Sequence, residues 1–291
     1  MKKSILFVSI LLSHLFTHAQ VVIDNTMTVQ QFVQDVLLGP NITATNITFN
    51  GLPANQVSQQ IGSFECIDCQ LDIASGFVMS SGFATSLVGP NNMTSTDFIT
   101  FDVGTDPDLN TLADASGVNS QPMDWAIIEF DFVPLGDTLR FNYVWASEEY
   151  PDFVAEGGTI YNDFFGFFLS GPGINGPFSN DAINIALIPG TDIPVGIGTL
   201  NNGVNNNGPC DYCEYYNQDF PGTNGAPGED DDAFTNPYYA NADGYTDMLT
   251  AIGIVQCGET YHIKLAIADG WDTSLNSYVI LERESFTSNL V

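Results

Sequence analysis

The chain predicts a mostly β protein: an antiparallel, jelly-roll-like β-sandwich with one N-terminal helix and a long polar insertion. Short β-forming runs recur between Gly, Pro and Asn turns, as in two-layer sheet proteins. One of them, Thr138 to Ala146, alternates cleanly. Leu139, Phe141, Tyr143 and Trp145 point one way, Arg140 and Asn142 the other, the pattern of a half-buried antiparallel strand. With 44% hydrophobic residues and 21 Phe, the core can be large, and the expectation is one domain over residues 20–291.

Residues 1–19 read as a secretory signal. Lys2 and Lys3 form a basic start, Ile5 to Phe16 is apolar but short for a membrane span, and Thr17-His18-Ala19 offers a cleavage site before Gln20. The helix follows. Val29, Phe32, Val33, Val36 and Leu37 share one face, Thr28 and Gln31 form a capping box, and Gly39-Pro40 stops it. Strands are then predicted at Phe77 to Ser80, Trp125 to Val133 and Thr138 to Ala146. The nearly all-aromatic Phe164 to Leu169 is expected to be covered on both faces. Ile183 to Ile188, Ile193 to Leu200, Thr260 to Ala268 and Ser277 to Phe286 continue the series. Asn201 to Asp243 is rich in Asn, Gly, Pro, Asp and Tyr, too long for a structureless loop, and reads as an insertion held by its cysteines or as a flap.

Removal of the signal leaves Arg140, Lys264 and Arg283 against 35 acids. Such a charge repels nucleic acid phosphates and anionic lipid. It also calls for relief where acids cluster, which a bound calcium ion would supply. Cys66 and Cys69, Cys210 and Cys213, and a single Cys257 suit structural disulfides in an exported chain better than zinc or redox chemistry. The simplest pairing joins Cys66 to Cys69 and Cys257 to Cys210 or Cys213.

Candidate cation ligands are Glu148, Glu149 and Asp163, which sit at the ends of aromatic strands, and Asp269 and Asp272, which flank a Gly-Trp turn. Adjacent residues of an extended chain face opposite ways, so at most one of Glu148 and Glu149 serves a given site, and one is expected to take a cation or a backbone amide. Asp106 and Asp108, with Asn110, are spaced like the start of a calcium loop, although Thr111 stands where Gly is expected. An acidic turn leading into a strand is the other reading. Trp271, Tyr238 and Tyr239 are candidates for stacking on a sugar, whereas Trp145 suits the core. The four acids Glu229 to Asp232 read as solvated charge.

Catalytic signals are weak. His262 has no nucleophile motif beside it. Glu129-Phe-Asp131 begins like the strand motif of sandwich-type glucanases, but Pro134 takes the place of its last Glu.

The stretches GFVMSSG followed by GPNN, DPDL, IIEFDFVPLGD, FNYVWASEEYPDFV, YNDFFGFFLSGPGI, NIALIPGT, DGYTDMLTA and TYHIKLAIADGWD, with SYVILERESF at the end, resemble the choice-of-anchor L domain family of exported bacterial proteins from about Gly76 to Phe286. The resemblance implies a secreted or surface-attached protein of adhesin-like kind. It carries no established activity or ligand. The family is named for varied C-terminal sorting signals, among them those of type IX secretion. Here five residues follow Phe286, so the expectation is a released protein or a piece of a longer one. SLNSYVIL also stands where the family pattern is more acidic.

The reading is therefore a non-enzymatic, calcium-supported surface adhesion or glycan-binding domain. Its partner would be a surface glycan or protein, with no nucleic acid and no membrane insertion. A carbohydrate-active hydrolase with a carboxylate pair is the alternative, and a purely structural domain of a larger surface protein the third.

Overall fold

The computed structural model describes residues 20–67, 71–89, 101, 106–115, 121–154, 162–218, 240–271 and 273–289. Strand β1 (Gln20–Asp24) precedes helix α1, whose α-helical first turn (Val29–Gln31) runs into a π-helical stretch (Phe32–Leu37). There follow β2 (Ala44–Phe49), β3 (Leu52–Pro53), β4 (Ile61–Ile67), β5 (Ser75–Ser80) and helix α2 (Pro107–Ala115). The middle of the chain supplies β6 (Pro122–Phe132), β7 (Thr138–Ser147), β8 (Phe164–Ser170), β9 (Ile183–Asn184) and β10 (Tyr216–Gln218). The last strands are β11 (Gly244–Thr246), β12 (Leu249–Ile254), β13 (Tyr261–Gly270), β14 (Ser277–Glu282) and β15 (Thr287–Asn289).

These strands form two antiparallel sheets. One runs β1-β4-β5-β14-β7-β11-β10, with β12 and β15 also paired to β7, and the other runs β3-β2-β6-β13-β8-β9. The predicted sandwich is what forms, and its core lies between the sheets. The inward residues of β7 meet those of β8 there: Trp145 stacks on Phe165 (4.7 Å between centroids), and Tyr143 and Phe141 pack on Phe167. Each such ring contributes about 2–3 kcal/mol by leaving water. Phe286 enters the same core, with Phe130, Phe132 and Phe141 at 5.1–5.4 Å. Its backbone clasps the end of α1. Its N–H donates to the Leu37 carbonyl, and its own carbonyl accepts from Gly39 N–H.

The predicted helix is present, with both capping-box bonds made between Thr28 and Gln31. All five apolar residues of its face are buried. Sequence periodicity does not foresee the widened turn, in which Leu38 N–H reaches the Val33 carbonyl. Outer layers account for the aromatic β8, buried along its whole length. Leu109 and Leu112 of α2 pack on Phe168, Ile127 and Ala266, on the sheet face away from the core.

Other expectations are corrected. Ile193 to Leu200 is not a strand. Val195, Ile197 and Leu200 do point inward, but Pro194 lacks a donor and the backbone turns on itself, Leu200 N–H bonding to the Gly196 carbonyl. Only Ile183 and Asn184 of the next-to-last predicted middle run are paired in a strand. The run from Ser277 stops at Glu282, because Glu284 turns with φ 54°, and resumes as β15. The strands β1 to β4, β10 to β12 and β15, and the second helix α2, were not expected.

The start of the polar insertion is ordered. Asn201 and Asp211 exchange backbone hydrogen bonds, and β10 adds to the sheet beside β11. Residues 219–239, which include Tyr238, Tyr239 and Glu229 to Asp232, lie outside the described residues, as do residues 1–19, where a signal is expected, Cys69 and Asp272.

Candidate functional site

Four strand ends meet at one end of the sandwich and bring carboxylates inside. Glu148 and Glu149 leave β7, Asp163 precedes β8, and Asp269 lies near the end of β13. They are exposed by 4%, 1%, 1% and 1% respectively. Pairing fixes the arrangement: Ser277 of β14 lies opposite Ser147, and Ala268 opposite Phe164. Asp163 Oδ1 accepts from Gly270 N–H at 2.9 Å, and its Oδ2 accepts from the Ser277 hydroxyl at 2.6 Å. Glu148 Oε2 accepts from Asn276 N–H at 2.8 Å, so Glu148 makes the expected amide contact. Glu149 N–H donates to Ser147 Oγ at 3.0 Å.

A β-bulge completes the end. Along β6, Asp124 and Trp125 together oppose Ala268, because the register slips by one between Ile267 and Asp269. Asp124 takes φ 48°, is 1% exposed, and accepts from Phe101 N–H. Bulges re-aim side chains at sheet margins in this way. Asn162 and Asp243 are also buried here, the first accepting from Gly198 N–H and the second donating its N–H to the Ser147 carbonyl. Asp124, Asp243, Asn276 and Ser277 escaped the sequence reading. SLNSYVIL, read there as a loss of acidity, in fact supplies two of them. The donors are all hard oxygens, the set that suits calcium.

Beside Asn162 and Asp163 opens an apolar cleft of about 760 Å³, walled by Leu112, Phe164, Phe178 and Ile193. Trp271 stands at this end of β13, 43% exposed and held at φ 76° by its N–H bond to the Gln121 carbonyl.

Asp106 and Asp108 do not join this end. Asp106 is the N-cap of α2: its Oδ1 accepts from the N–H groups of Asp108 and Leu109, and Pro107 follows as the first helical residue. The carboxylates of both turn to the buried Lys264, at 2.5 Å and 2.9 Å from its Nζ. The spacing that resembles a calcium loop is thus a helix start whose acids neutralise an ammonium group. Burial pushes the Asp108 carboxyl up, but hydrogen bonds from Ser179 and then the Lys264 charge bring it below its usual range.

Lys264 belongs to a charged strip on the outer face of β13 and β6. His262 bridges two carboxylates there, with Nδ1 2.8 Å from Asp131 and Nε2 3.1 Å from Glu129. The bond to Glu129 raises the imidazole above its usual pKa, against the opposing effect of burial. The same bond is the main reason Glu129 is lowered. Glu129 and Asp131, the residues that begin like a glucanase motif, are therefore engaged with a histidine.

Cys210 and Cys213 are bonded to each other. Cys257 is free and exposed, so the expected bridge from Cys257 into the insertion does not form, and Cys257 is not a disulfide cysteine. Cys66 is disulfide-bonded. Glu214 lies close to the two insertion sulfurs, but with their electrons in a disulfide they offer no thiolate to a metal.

Among the described residues no helix is long and apolar enough to cross a membrane. No curated protein and no solved structure matches the chain. The model of the choice-of-anchor L domain matches residues 20–287, which extends the resemblance seen in the sequence back through α1 to β1. That match covers nearly the whole length, and the chain belongs to the choice-of-anchor L domain family.

Proposed function

We propose that this domain is an exported recognition module of the cell surface, non-catalytic, whose binding end is organised by calcium. Its family is one of surface-associated domains and is not an enzyme family. The observation that carries the proposal is the burial of Glu148, Glu149, Asp163 and Asp269 together at strand ends. Buried carboxylates need positive charge or several hydrogen-bond donors. Arg140, Arg283 and Lys264, the three basic residues beyond the signal, are placed elsewhere: Arg140 is exposed on the other half of β7, Arg283 reaches the Asp35 carbonyl, and Lys264 holds Asp106 and Asp108. A divalent cation bound among these hard oxygens would lock four strand ends into one geometry. The exposed Trp271 beside them offers a face for a sugar ring.

The test is thermal unfolding in calcium, in magnesium and in chelator. A ligand that binds only the native state raises stability by mass action, about 2.7 kcal/mol at a hundredfold excess over Kd. The expected result is a calcium-specific rise that Asp163→Asn removes. Equal melting in all three buffers would sink the calcium reading and leave a structural surface domain. Retention of the protein on immobilised glycans, lost in Trp271→Ala, would carry the sugar reading further.

A further inference from the structure

We infer that β12 is a docking edge for an extended, apolar and basic segment of another polypeptide, which would add as a new strand to the sheet. Among the described residues, β12 pairs with β7 and with no other strand. The register fixes which backbone groups point outward. Asn142 sends its N–H away from β12, to Ser285 Oγ, and Arg140 is paired on that same far side to Thr287 of β15. Their partners across the ladder are Thr250 and Ile252, with Ile254 next in phase. In an antiparallel pair such positions turn their N–H and C=O groups away from each other. Thr250, Ile252 and Ile254 therefore present a row of outward donors and acceptors.

The composition of this edge is unusual for an exposed margin. Ile252 is 46% exposed and Ile254 71%, and the strand LTAIGI carries neither charge nor proline. Natural edge strands are blunted by shortness, charge, proline or bulges. The other margins of the two sheets follow that rule, since β3, β9, β10 and β15 have two or three residues and β1 ends in Asp24. Alongside β12 runs a groove of about 420 Å³, lined by Ile185, Leu187, Ile188, Tyr215, Met248 and Ile252. A strand added at β12 would place alternate side chains in that groove, the arrangement of strand-addition complexes.

Charge selects the occupant. Acids surround the strand: Asp72 accepts from Met248 N–H, Asp247 precedes the strand, and Glu282 is tied through Asn142 to the Thr250 hydroxyl. The cation of this neighbourhood is Arg140, opposite Ile252. A second copy would bring the same acids and a formal charge of −30 against itself, whereas a strand alternating apolar and basic residues complements both features.

The probe is a fluorescent peptide of alternating valine and lysine, titrated into the full chain by anisotropy at moderate salt. An equally charged peptide interrupted by proline serves as control. The alternating peptide is expected to bind at least about tenfold tighter than the control, because both feel the same bulk charge but only one can pair. Ile254→Lys, which introduces charge on the surface, and Ile252→Pro, which removes an outward N–H, are each expected to weaken binding at least about tenfold with little change in melting. The amides of Thr250 and Ile252 should exchange with solvent rapidly in the free protein and slowly with peptide bound. Should Ile252→Pro fail to fold, Ile254→Lys and amide exchange decide the matter. Equal binding of the two peptides, binding unmoved by Ile254→Lys, or a dimer in sedimentation that Ile254→Lys dissolves would each overturn the inference, the last by making a second copy the occupant. The calcium test reads the far half of β7 and its outcome is separate from this one.

Discussion

Two regions of the sandwich gather acids, and they handle them differently. On the outer face of β13 and β6, Glu129, Asp131, Asp106 and Asp108 meet cationic partners from the chain itself, His262 and Lys264. At the sandwich end, Asp163 and Glu148 are held by backbone amides and a hydroxyl, contributed by Gly270, Asn276 and Ser277. The first region takes its cations from the fold itself and so serves stability. The second draws these partners from amides and a hydroxyl, which is why calcium is proposed there. The same residue type thus has different meanings, and what stands opposite is a deciding factor.

The largest expected effect breaks the first region. Lys264→Met leaves Asp106 and Asp108 facing each other without their cation, in a setting where Asp108 is nearly buried. Removing one partner of a buried pair costs about 3–5 kcal/mol, and urea unfolding should show a loss of that size in calcium and chelator alike. A next, smaller effect sharpens the second region. Glu149→Gln should leave melting in chelator nearly unchanged or raised, and should abolish a calcium-dependent rise of roughly 5 °C. If Glu149→Gln lowers melting equally in both buffers, the end acids serve the fold alone.

Smaller again is Gly82→Ala. A Cβ at Gly82 would come within 2.0 Å of Asn276 Oδ1, so the added methyl must displace Asn276, whose amide holds Glu148. A loss of about 1–3 kcal/mol is expected, with a reduced response to calcium. Unaltered calcium response would detach Asn276 from the site. The smallest effect concerns pH at the first region. The raised pKa of His262 means its contribution is complete below the unfolded value of about 6.5 and is lost as pH rises through the higher folded value. The lowered Glu129 works the other way: its contribution is present above the unfolded value of about 4.5 and is lost as pH falls through the lower folded one. Melting of the protein should therefore favour about pH 5.5 over about pH 8.5 more than melting of His262→Gln does. His262 is a third exposed, so solvent keeps the difference small. Identical profiles would remove the imidazole from the account.

The legible parts of the fold were those whose pattern repeats. Thr138 to Ala146 and the face of α1 gave their structure away because their partners are generic: any apolar layer satisfies them. β1 and β2 were missed because their burial comes from strands far along the chain, and polar stretches such as ATNITF show little alternation until those strands are placed. Glu148, Glu149, Asp163 and Asp269 were readable as acids at strand ends. Asp124 was not, because only the bulge brings it there. The reading of Asp106 and Asp108 went astray for an instructive reason. Alternate oxygens two residues apart are common to calcium loops and to an N-cap followed by Pro, and the distinction lies in Lys264, about 160 residues away along the chain. The bridge expected from Cys257 failed in the same manner, since spacing alone does not say which sulfurs meet across the fold.

Phe286 bears on how the polypeptide reaches its shape. Its ring fills the space between Phe130, Phe132 and Phe141, and its backbone ties off the helix near the other extremity of the domain. A domain assembled from its N-terminal strands onward therefore presents an open, unfinished interior until this ring arrives. Folding of the domain is in that sense ordered, and this ring is among its last pieces to take its place.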